Sequence, residues 1–200
     1  MSAQAEKRFS EYSFLKRAVD FFSGLTLGIG LLPVVMIVAL LILLDNGAPV
    51  LYTQTRAGRR HKPFRIYKFR TMKRNTPSIS TEEMKKLGID PVTHIGRFLR
   101  RSSLDELPQV WNVIMGDMSF VGPRPALLTQ DPVLTARAAS GVDALLPGIT
   151  GLAQVRGRDD LSDDEKVQLD TEYLEKFSLE QDVQIVVKTF SAVFSGRGNA

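Results

Sequence analysis

The longest apolar run of the chain lies near its beginning. Residues 21–44, FFSGLTLGIGLLPVVMIVALLILL, carry no charged side chain. As a helix this run would be about 36 Å long, enough to cross a hydrocarbon core of roughly 30 Å. A cleaved signal peptide would have a shorter apolar core and a small-residue cleavage site, which do not occur here. The pattern predicts a membrane helix.

Charged residues on both sides of this run bear on its topology, because lysine and arginine are retained on the cytoplasmic side of a membrane. Basic residues flank both ends: Lys7, Arg8, Lys16 and Arg17 before the run, and Arg56, Arg59, Arg60, Lys62, Arg65 and Lys68 after it. A helix with two cytoplasmic ends enters the membrane and turns back. Pro33 is the expected break, because proline removes one helical hydrogen bond. An ordinary spanning helix with a tolerated proline remains the alternative.

The remainder of the sequence alternates short strand patterns with amphipathic helical ones. We predict a hairpin from residues 50–55 and 64–70, a polar loop at 74–80 and a short helix from 81 that ends at Gly88. Further helices are predicted at 95–101, 104–115, 127–139, 163–177 and 179–194. Residues 120–125 are too rich in proline and glycine for regular structure, and 146–158 form a loop with one strand. The prediction is thus an α+β chain, mostly helical, with a membrane segment over 1–45 and one domain over 46–200.

Composition narrows the classes of partner. The net charge of +4 and a pI near 9.4 suit an anionic partner, such as nucleic acid, acidic lipid or a phosphorylated substrate. Cysteine is absent, which excludes disulfides and thiolate metal sites. His61 and His94 are the only histidines, so a histidine-rich metal centre is not expected.

Two adjacent carboxylates, Asp105 and Glu106, are the strongest candidates for chemistry. Ser103 and Glu106 fit the spacing of a capping box, which is a purely structural interpretation. That interpretation leaves Asp105 unexplained. Near an incoming phosphate, Asp105 would be a possible nucleophile and Glu106 a ligand for the Mg²⁺ that neutralises the phosphate.

Basic residues in constrained segments accompany this pair. Taken singly, each is typical of a solvated surface cation. Arginine suits bidentate phosphate binding, and two prolines restrict the backbone at Arg124. The candidates for phosphate or substrate binding are Lys68, Arg70, Arg100, Arg124 and Arg158, with Arg101 and Arg156 beside them.

Three motifs carry a resemblance to a known family. The segments PFRIYKFRTM, LRRSSLDELPQVWNVIMGDMSFVGPRP and PGITGLAQVRGR resemble those of the small monotopic phosphoglycosyl transferases, the bacterial sugar transferase family. The resemblance implies an enzyme that moves a phospho-sugar from a UDP-sugar to polyprenyl phosphate, releasing UMP, in the first membrane step of glycan assembly. It also implies a monotopic fold, with a re-entrant helix and interfacial amphipathic helices among inner-membrane lipids at the cytoplasmic face.

The resemblance assigns roles to individual residues. Asp105 would be the nucleophile of a ping-pong reaction through a covalent aspartyl phospho-sugar, and Glu106 the ligand of Mg²⁺. Lys68, Arg100 and Arg158 would contact phosphates, and the segment Pro123, Arg124 and Pro125 would contact the nucleotide. The chain departs from the family at Leu32, where a serine usually precedes the proline, and at Arg156, where asparagine is expected.

Two other functions compete with this hypothesis. A catalytically silent membrane scaffold of a glycan pathway would release no UMP from any donor. A nucleic-acid-binding module would be soluble without detergent, and the sequence has no recognition motif for one. The motifs do not choose among acetamido, diacetamido and plain hexoses, nor do they predict the polyprenol or the oligomeric state.

Overall fold

The computed structural model describes residues 3–74, 76, 84, 87–157 and 160–194. Over these residues the fold is mostly helical with one small antiparallel hairpin, as predicted. The helices are α1 (Ala3–Gly30), α2 (Leu32–Asn46), α3 (His94–Arg101), α4 (Gln109–Met115), α5 (Asp131–Ser140), α6 (Leu152–Arg156), α7 (Asp163–Glu175) and α8 (Leu179–Phe194). The strands are β1 (Leu51–Ala57), β2 (Pro63–Phe69), β3 (Ser119–Val121) and β4 (Gly148–Thr150). The predicted loop at 74–80 and most of the predicted helix at 81–88 lie outside the described residues.

The apolar run forms two helices joined at a bend. The two axes, taken over Glu11–Gly30 and Leu32–Asn46, differ by 59°. The bend lies at Leu31, and Pro33 occupies the first turn of α2, where a missing N–H costs no helical hydrogen bond. No single helix in the described ranges has the length and apolarity needed to cross a membrane. The bent pair together meets that requirement, on length and composition alone.

Both halves of the bent pair pack on the rest of the chain. Val38 and Ile42 of α2 are buried against Phe69 and Leu99. Arg17 of α1 donates to the carbonyls of Val113 and Ile114 at 2.6 and 2.8 Å, where the free carbonyls at the end of α4 need donors. Helix α2 is therefore part of the same core as the hairpin and α3, and α1 is joined to the end of α4.

The hairpin supports the catalytic candidates through one buried amide. Strands β1 and β2 pair antiparallel, with Tyr52 opposite Lys68. Asn112 of α4 is fully buried; its amide donates to the carbonyl of Arg65 at 2.7 Å and accepts from the N–H of Tyr67 at 3.1 Å. Asn112 thus fixes α4 against the strand that carries Lys68.

A parallel pair of short strands was only partly predicted. Residues 120 and 121 belong to β3, which pairs with β4, so the prediction of irregular structure over 120–125 is wrong at its start. Gly122 and Gly148 cross so closely that a Cβ on Gly148 would lie 2.1 Å from the Gly122 nitrogen. Glycine is required at this crossing because any side chain would overlap backbone. Helix α6, within the segment predicted as loop and strand, was missed.

The predicted helix over 104–115 is divided. Leu104–Glu106 form a 3-10 turn and α4 begins only at Gln109, because Pro108 supplies no N–H to a continuous helix. The capping box at Ser103 is wrong, since its side chain makes no capping hydrogen bond. A capping box does form at Ser162 and Glu165, at the start of α7. Helix α5 begins four residues later than predicted, at Asp131 before Pro132.

Candidate active site

The two carboxylates lie in a tight turn between α3 and α4. Ser103, just before the turn, has φ 57° and ψ 16°, a left-handed conformation that costs free energy for a residue with a side chain. The carbonyl of Ser103 accepts the Glu106 N–H at 3.2 Å. Glu106 is 9% exposed and Asp105 is half-buried. A strained backbone therefore holds both acids at fixed positions.

Two of the predicted cations meet Glu106. The Lys68 ammonium donates to Glu106 Oε1 at 2.7 Å, and the Arg124 guanidinium reaches the same oxygen at 3.5 Å. A buried carboxylate requires such partners, because desolvation of an isolated charge costs several kcal/mol. Lys68 from β2 and Arg124 from the loop after β3 thereby converge on the turn.

Asp105 has a different environment. Burial raises the pKa of the Asp105 carboxyl, and the neighbouring Glu106 charge raises it further, while Lys68 and Arg100 oppose this shift. In the part of the chain that the structure describes, no side chain donates a hydrogen bond to Asp105. Its ionised form is thus poorly stabilised by the protein, which is the electrostatic condition of a reactive group.

Helix α3 brings Arg100 to the site. Thr93 caps the helix by accepting the Gly96 N–H at 2.9 Å, and Arg100 Nε donates to Thr71 Oγ1 at 2.9 Å. A Cβ on Gly96 would lie 2.1 Å from the Thr71 carbonyl oxygen. The close approach of α3 to the end of the hairpin therefore depends on glycine at this position.

The segment from Pro123 to Pro125 is held at three consecutive carbonyls. The Gly148 N–H donates to the Pro123 carbonyl at 2.8 Å, Arg137 donates to the Arg124 carbonyl at 2.9 Å, and Arg56 donates to the Pro125 carbonyl at 3.2 Å. The backbone beneath Arg124 is thus fixed from three elements, which orients its guanidinium toward Glu106.

Two of the other predicted cations, Arg70 and Arg156, make different contacts. Arg70 joins the hairpin by its backbone, donating its N–H to the Val50 carbonyl at 2.8 Å. Arg156 is half-exposed and 3.9 Å from Glu172. Arg158 lies outside the described residues. For Arg70 and Arg158 a substrate role therefore remains a prediction.

The structure adds supporting residues that sequence reasoning missed. They are Thr71, Arg56, Arg137 and Asn112. Arg137 also pairs with the buried Asp170 at 2.7 Å. Each of them makes a hydrogen bond or an ion pair with a residue of another element. The neighbouring residues in the sequence therefore did not indicate the contact. In the sequence, Arg137 is a lone arginine in a predicted helix, which is typical of a surface cation.

The fit of Mg²⁺ to this site follows from the donor set. Among the described residues, no group of three or more acidic or histidine side chains is arranged to hold a metal. Mg²⁺ commonly uses only one or two carboxylates, with substrate phosphates and water completing six ligands. Glu106 beside Asp105 supplies that number, since both carboxylates lie in one short turn. The residues therefore fit an ion shared with a phosphorylated substrate.

Comparison with known proteins decides the family. Residues 11–196 match the family described as bacterial sugar transferase. The chain belongs to this family. The Asp105 and Glu106 turn, Lys68 and the Pro123 to Pro125 segment all lie within the matched residues.

Individual relatives are similar over most of the chain. The UDP-galactose-lipid carrier transferase of Erwinia amylovora is 39% identical over 92% of this chain and 41% of its own length. The UDP-glucose:undecaprenyl-phosphate glucose-1-phosphate transferase of Caulobacter vibrioides is 37% identical over 90% of this chain and 70% of its own. The exopolysaccharide production protein ExoY of Sinorhizobium fredii is 38% identical over 92% and 87%. The chain therefore spans about two fifths of the Erwinia relative and most of the Sinorhizobium one.

Proposed function

We propose that this member of the bacterial sugar transferase family transfers a phospho-sugar from a UDP-sugar to polyprenyl phosphate, with Asp105 as the nucleophile. One observation carries the proposal: a half-buried carboxylate with raised pKa lies beside an acid that two cations already hold. The names of the Erwinia and Caulobacter relatives, which specify sugar transfer from UDP-sugars to lipid carriers, support the same reaction.

The reaction has two displacements at one phosphorus atom. An Asp105 oxygen bonds to the phosphorus that carries the sugar, and the bond from that phosphorus to the bridging oxygen breaks, so UMP leaves with the electron pair. An oxygen of polyprenyl phosphate then attacks the same phosphorus. The acyl phosphate bond breaks, which regenerates the Asp105 carboxylate and yields polyprenyl-diphosphate-sugar.

The other residues of the site hold Glu106 in position and balance the negative charge. Lys68 and Arg124 hold Glu106 in place, and Arg100, fixed by Thr71, adds positive charge near Asp105. Mg²⁺, held by Glu106 together with substrate phosphates, would supply neutralisation of the diphosphate charge. Arg70 and Arg158 are proposed as further phosphate contacts, and Pro123 and Pro125 as the frame of the nucleotide site.

The proposed setting is the cytoplasmic face of a bacterial inner membrane. The bent pair α1 and α2 would enter the lipid and return, with both termini on the same side, as the flanking basic residues favour. Reporter tags at each terminus should both be found in the cytoplasm. A periplasmic N-terminus would contradict the re-entrant topology while leaving the chemistry unaffected.

The function is tested with purified protein, Mg²⁺, a panel of UDP-sugars and undecaprenyl phosphate. We expect UMP release with at least one donor and its loss when EDTA removes the metal. When acceptor lipid is withheld, intact-mass measurement should show one phospho-sugar added to the wild-type chain and none added to Asp105→Asn. No UMP from any donor would favour the scaffold, and UMP without the adduct would contradict the covalent step.

A further inference from the structure

A long cavity runs from the catalytic turn along helix α1. Its volume is about 1150 Å³, whereas small-molecule sites commonly measure roughly 300–1,000 Å³. Glu106 and Arg124 line one part of it. A space of this size at the catalytic turn accommodates more than a sugar nucleotide.

Helix α1 forms one wall of the cavity. Its contacts recur every three or four residues from Tyr12 to Leu31, including Leu15, Val19 and Leu27, so they lie on a single helical face. At 1.5 Å per residue this face extends for about 28 Å. Leu31 is the bend of the apolar pair, so the cavity connects the proposed membrane segment with the catalytic turn.

Helix α8 forms the opposite wall with apolar side chains. Leu179, Val183, Val187 and Phe190 line the cavity, and each is between 46% and 62% exposed. These side chains recur at helical spacing, so one whole face of α8 lacks a protein partner among the described residues. Such a face needs an apolar occupant.

The charged side chains that line the cavity are Lys16, Asp20, Glu106, Arg124, Arg156, Asp160, Asp182 and Lys188. Lys16 and Tyr12 both donate to the Asp182 carboxylate, so these three polar groups are paired within the wall. Arg124 and Arg156, by contrast, are half-exposed and add positive charge to a cavity that also contains Glu106. The charged lining is balanced overall, with four basic and four acidic side chains. The half-exposed guanidinium groups of Arg124 and Arg156 suit an anionic head, and the apolar faces of the two helices suit a long apolar chain.

We infer that the groove between α1 and α8 binds the isoprenoid chain of the polyprenyl phosphate acceptor, with the acceptor phosphate near Arg124. The inference rests on the proposed function and adds to it the path by which the lipid reaches Asp105. The chain would enter at Leu31 and lie against Val183 and Val187. The groove is then specific to the second displacement and takes no part in the first.

The test fills the groove and measures the two displacements separately. Val187→Trp and Val183→Trp add bulk at positions that are 62% and 53% exposed, so neither disturbs the core. Exchange of labelled UMP into the UDP-sugar, without acceptor, reports the first displacement. Transfer to undecaprenyl phosphate in nanodiscs, and to a phosphate with a chain of two isoprene units, reports the second. Gln184→Trp, exposed on α8 and outside the cavity, is the matched control.

We expect the filled variants to lose about tenfold or more in kcat/KM for undecaprenyl phosphate, mainly through KM, and much less for the short acceptor. UMP exchange should stay within about twofold of wild type, because the donor does not occupy the groove. Equal transfer by Val187→Trp and Gln184→Trp would overturn the inference, as would an equal loss of exchange and transfer. Absence of exchange in the wild type would instead refute the proposed function.

Discussion

Two carboxylates of this protein, Asp182 and Asp105, are both shielded from water but differ in the side chains that donate hydrogen bonds to them. Asp182 accepts from the Tyr173 hydroxyl at 2.5 Å, from the Tyr12 hydroxyl at 2.7 Å and from the Lys16 ammonium. Asp105 receives no such side-chain donor within the described ranges, and its neighbour Glu106 takes the contacts of Lys68 and Arg124. A carboxylate that already accepts several side-chain hydrogen bonds joins helices together. A carboxylate without side-chain donors has oxygens that are available to a substrate.

The positions of the two acids agree with this division. Asp182 joins α1, α7 and α8 through Lys16 and Tyr173, and Tyr173 is 1% exposed. Burial and the Asp182 charge raise the pKa of Tyr173, so its hydroxyl remains a donor at every physiological pH. Asp105 instead lies in a strained turn beside the long cavity. We therefore propose that Asp182 contributes to stability and Asp105 to the reaction.

The largest expected effect separates the two acids by activity. Asp105→Asn should lower UMP release by at least about 1,000-fold, because an amide cannot form the acyl phosphate. Asp182→Asn should keep the specific activity of whatever fraction remains folded. Turnover is measured per folded molecule, with folding checked by circular dichroism. If Asp105→Asn retained more than about a tenth of the wild-type activity, Asp105 would not be the nucleophile.

The next largest effect distinguishes Asp182 from Asp105 by its contribution to the free energy of unfolding. Asp182→Ala should lower the free energy of unfolding by about 3–5 kcal/mol, because it leaves the Lys16 charge and the Tyr173 hydroxyl buried without their partner. Denaturant titration in detergent measures this change. Glu180→Ala, an exposed acid on the same helix, should stay within about 0.5 kcal/mol of wild type. Equal losses in the two variants would remove Asp182 from its structural role.

A smaller effect concerns how α3 delivers charge to Asp105. Gly96→Ala would place a methyl group 2.1 Å from the Thr71 carbonyl, so α3 must shift, at a cost of about 1–3 kcal/mol. Arg100 would move with it, which should raise the pKa of Asp105 further and shift the acid limb of activity to higher pH. Melting temperature and the pH profile of UMP release measure both consequences.

Gly30→Ala is the matched control for this change, because a Cβ there meets nothing within 4 Å. It should leave the pH profile unchanged. A pH profile of Gly96→Ala that coincides with that of Gly30→Ala would show that α3 does not set the charge at Asp105.

The sequence predicts those features that depend on residues close together in the chain. The hairpin, α3, α7 and α8 follow from local periodicity and were predicted close to their observed bounds. The apolar run at 21–44 was predicted as membrane helix, but α1 begins far earlier, at Ala3, and the bend lies at Leu31 rather than at Pro33. Asp105, Glu106, Lys68, Arg100 and Arg124 were selected as candidates, and the structure joins Lys68 and Arg124 to Glu106 and gives Arg100 charge at Asp105.

The remaining features depend on contacts that local patterns do not encode. Strands β3 and β4 are three residues each, and they pair across a crossing that only their glycines permit. The capping box at Ser103 had the right spacing but the wrong backbone, because the turn before Pro108 places Ser103 in the left-handed region. The Asp182 cluster joins residues up to 170 positions apart, which no window of sequence can show.

The smallest effect concerns the free energy of folding that is lost by burying Asp105, the proposed nucleophile. Because burial and Glu106 raise the pKa of Asp105 in the folded state, its ionised form is less stable there than in the unfolded chain at neutral pH. Asp105→Asn should therefore raise the melting temperature at pH 7 by about 2 °C. As pH falls through the raised pKa, wild-type Asp105 takes up a proton, so the difference should shrink. Asp117→Asn, at an exposed acid, should show no comparable gain in melting temperature. A lower melting temperature for Asp105→Asn at pH 7, or a difference independent of pH, would mean that Asp105 is as well stabilised as Asp182.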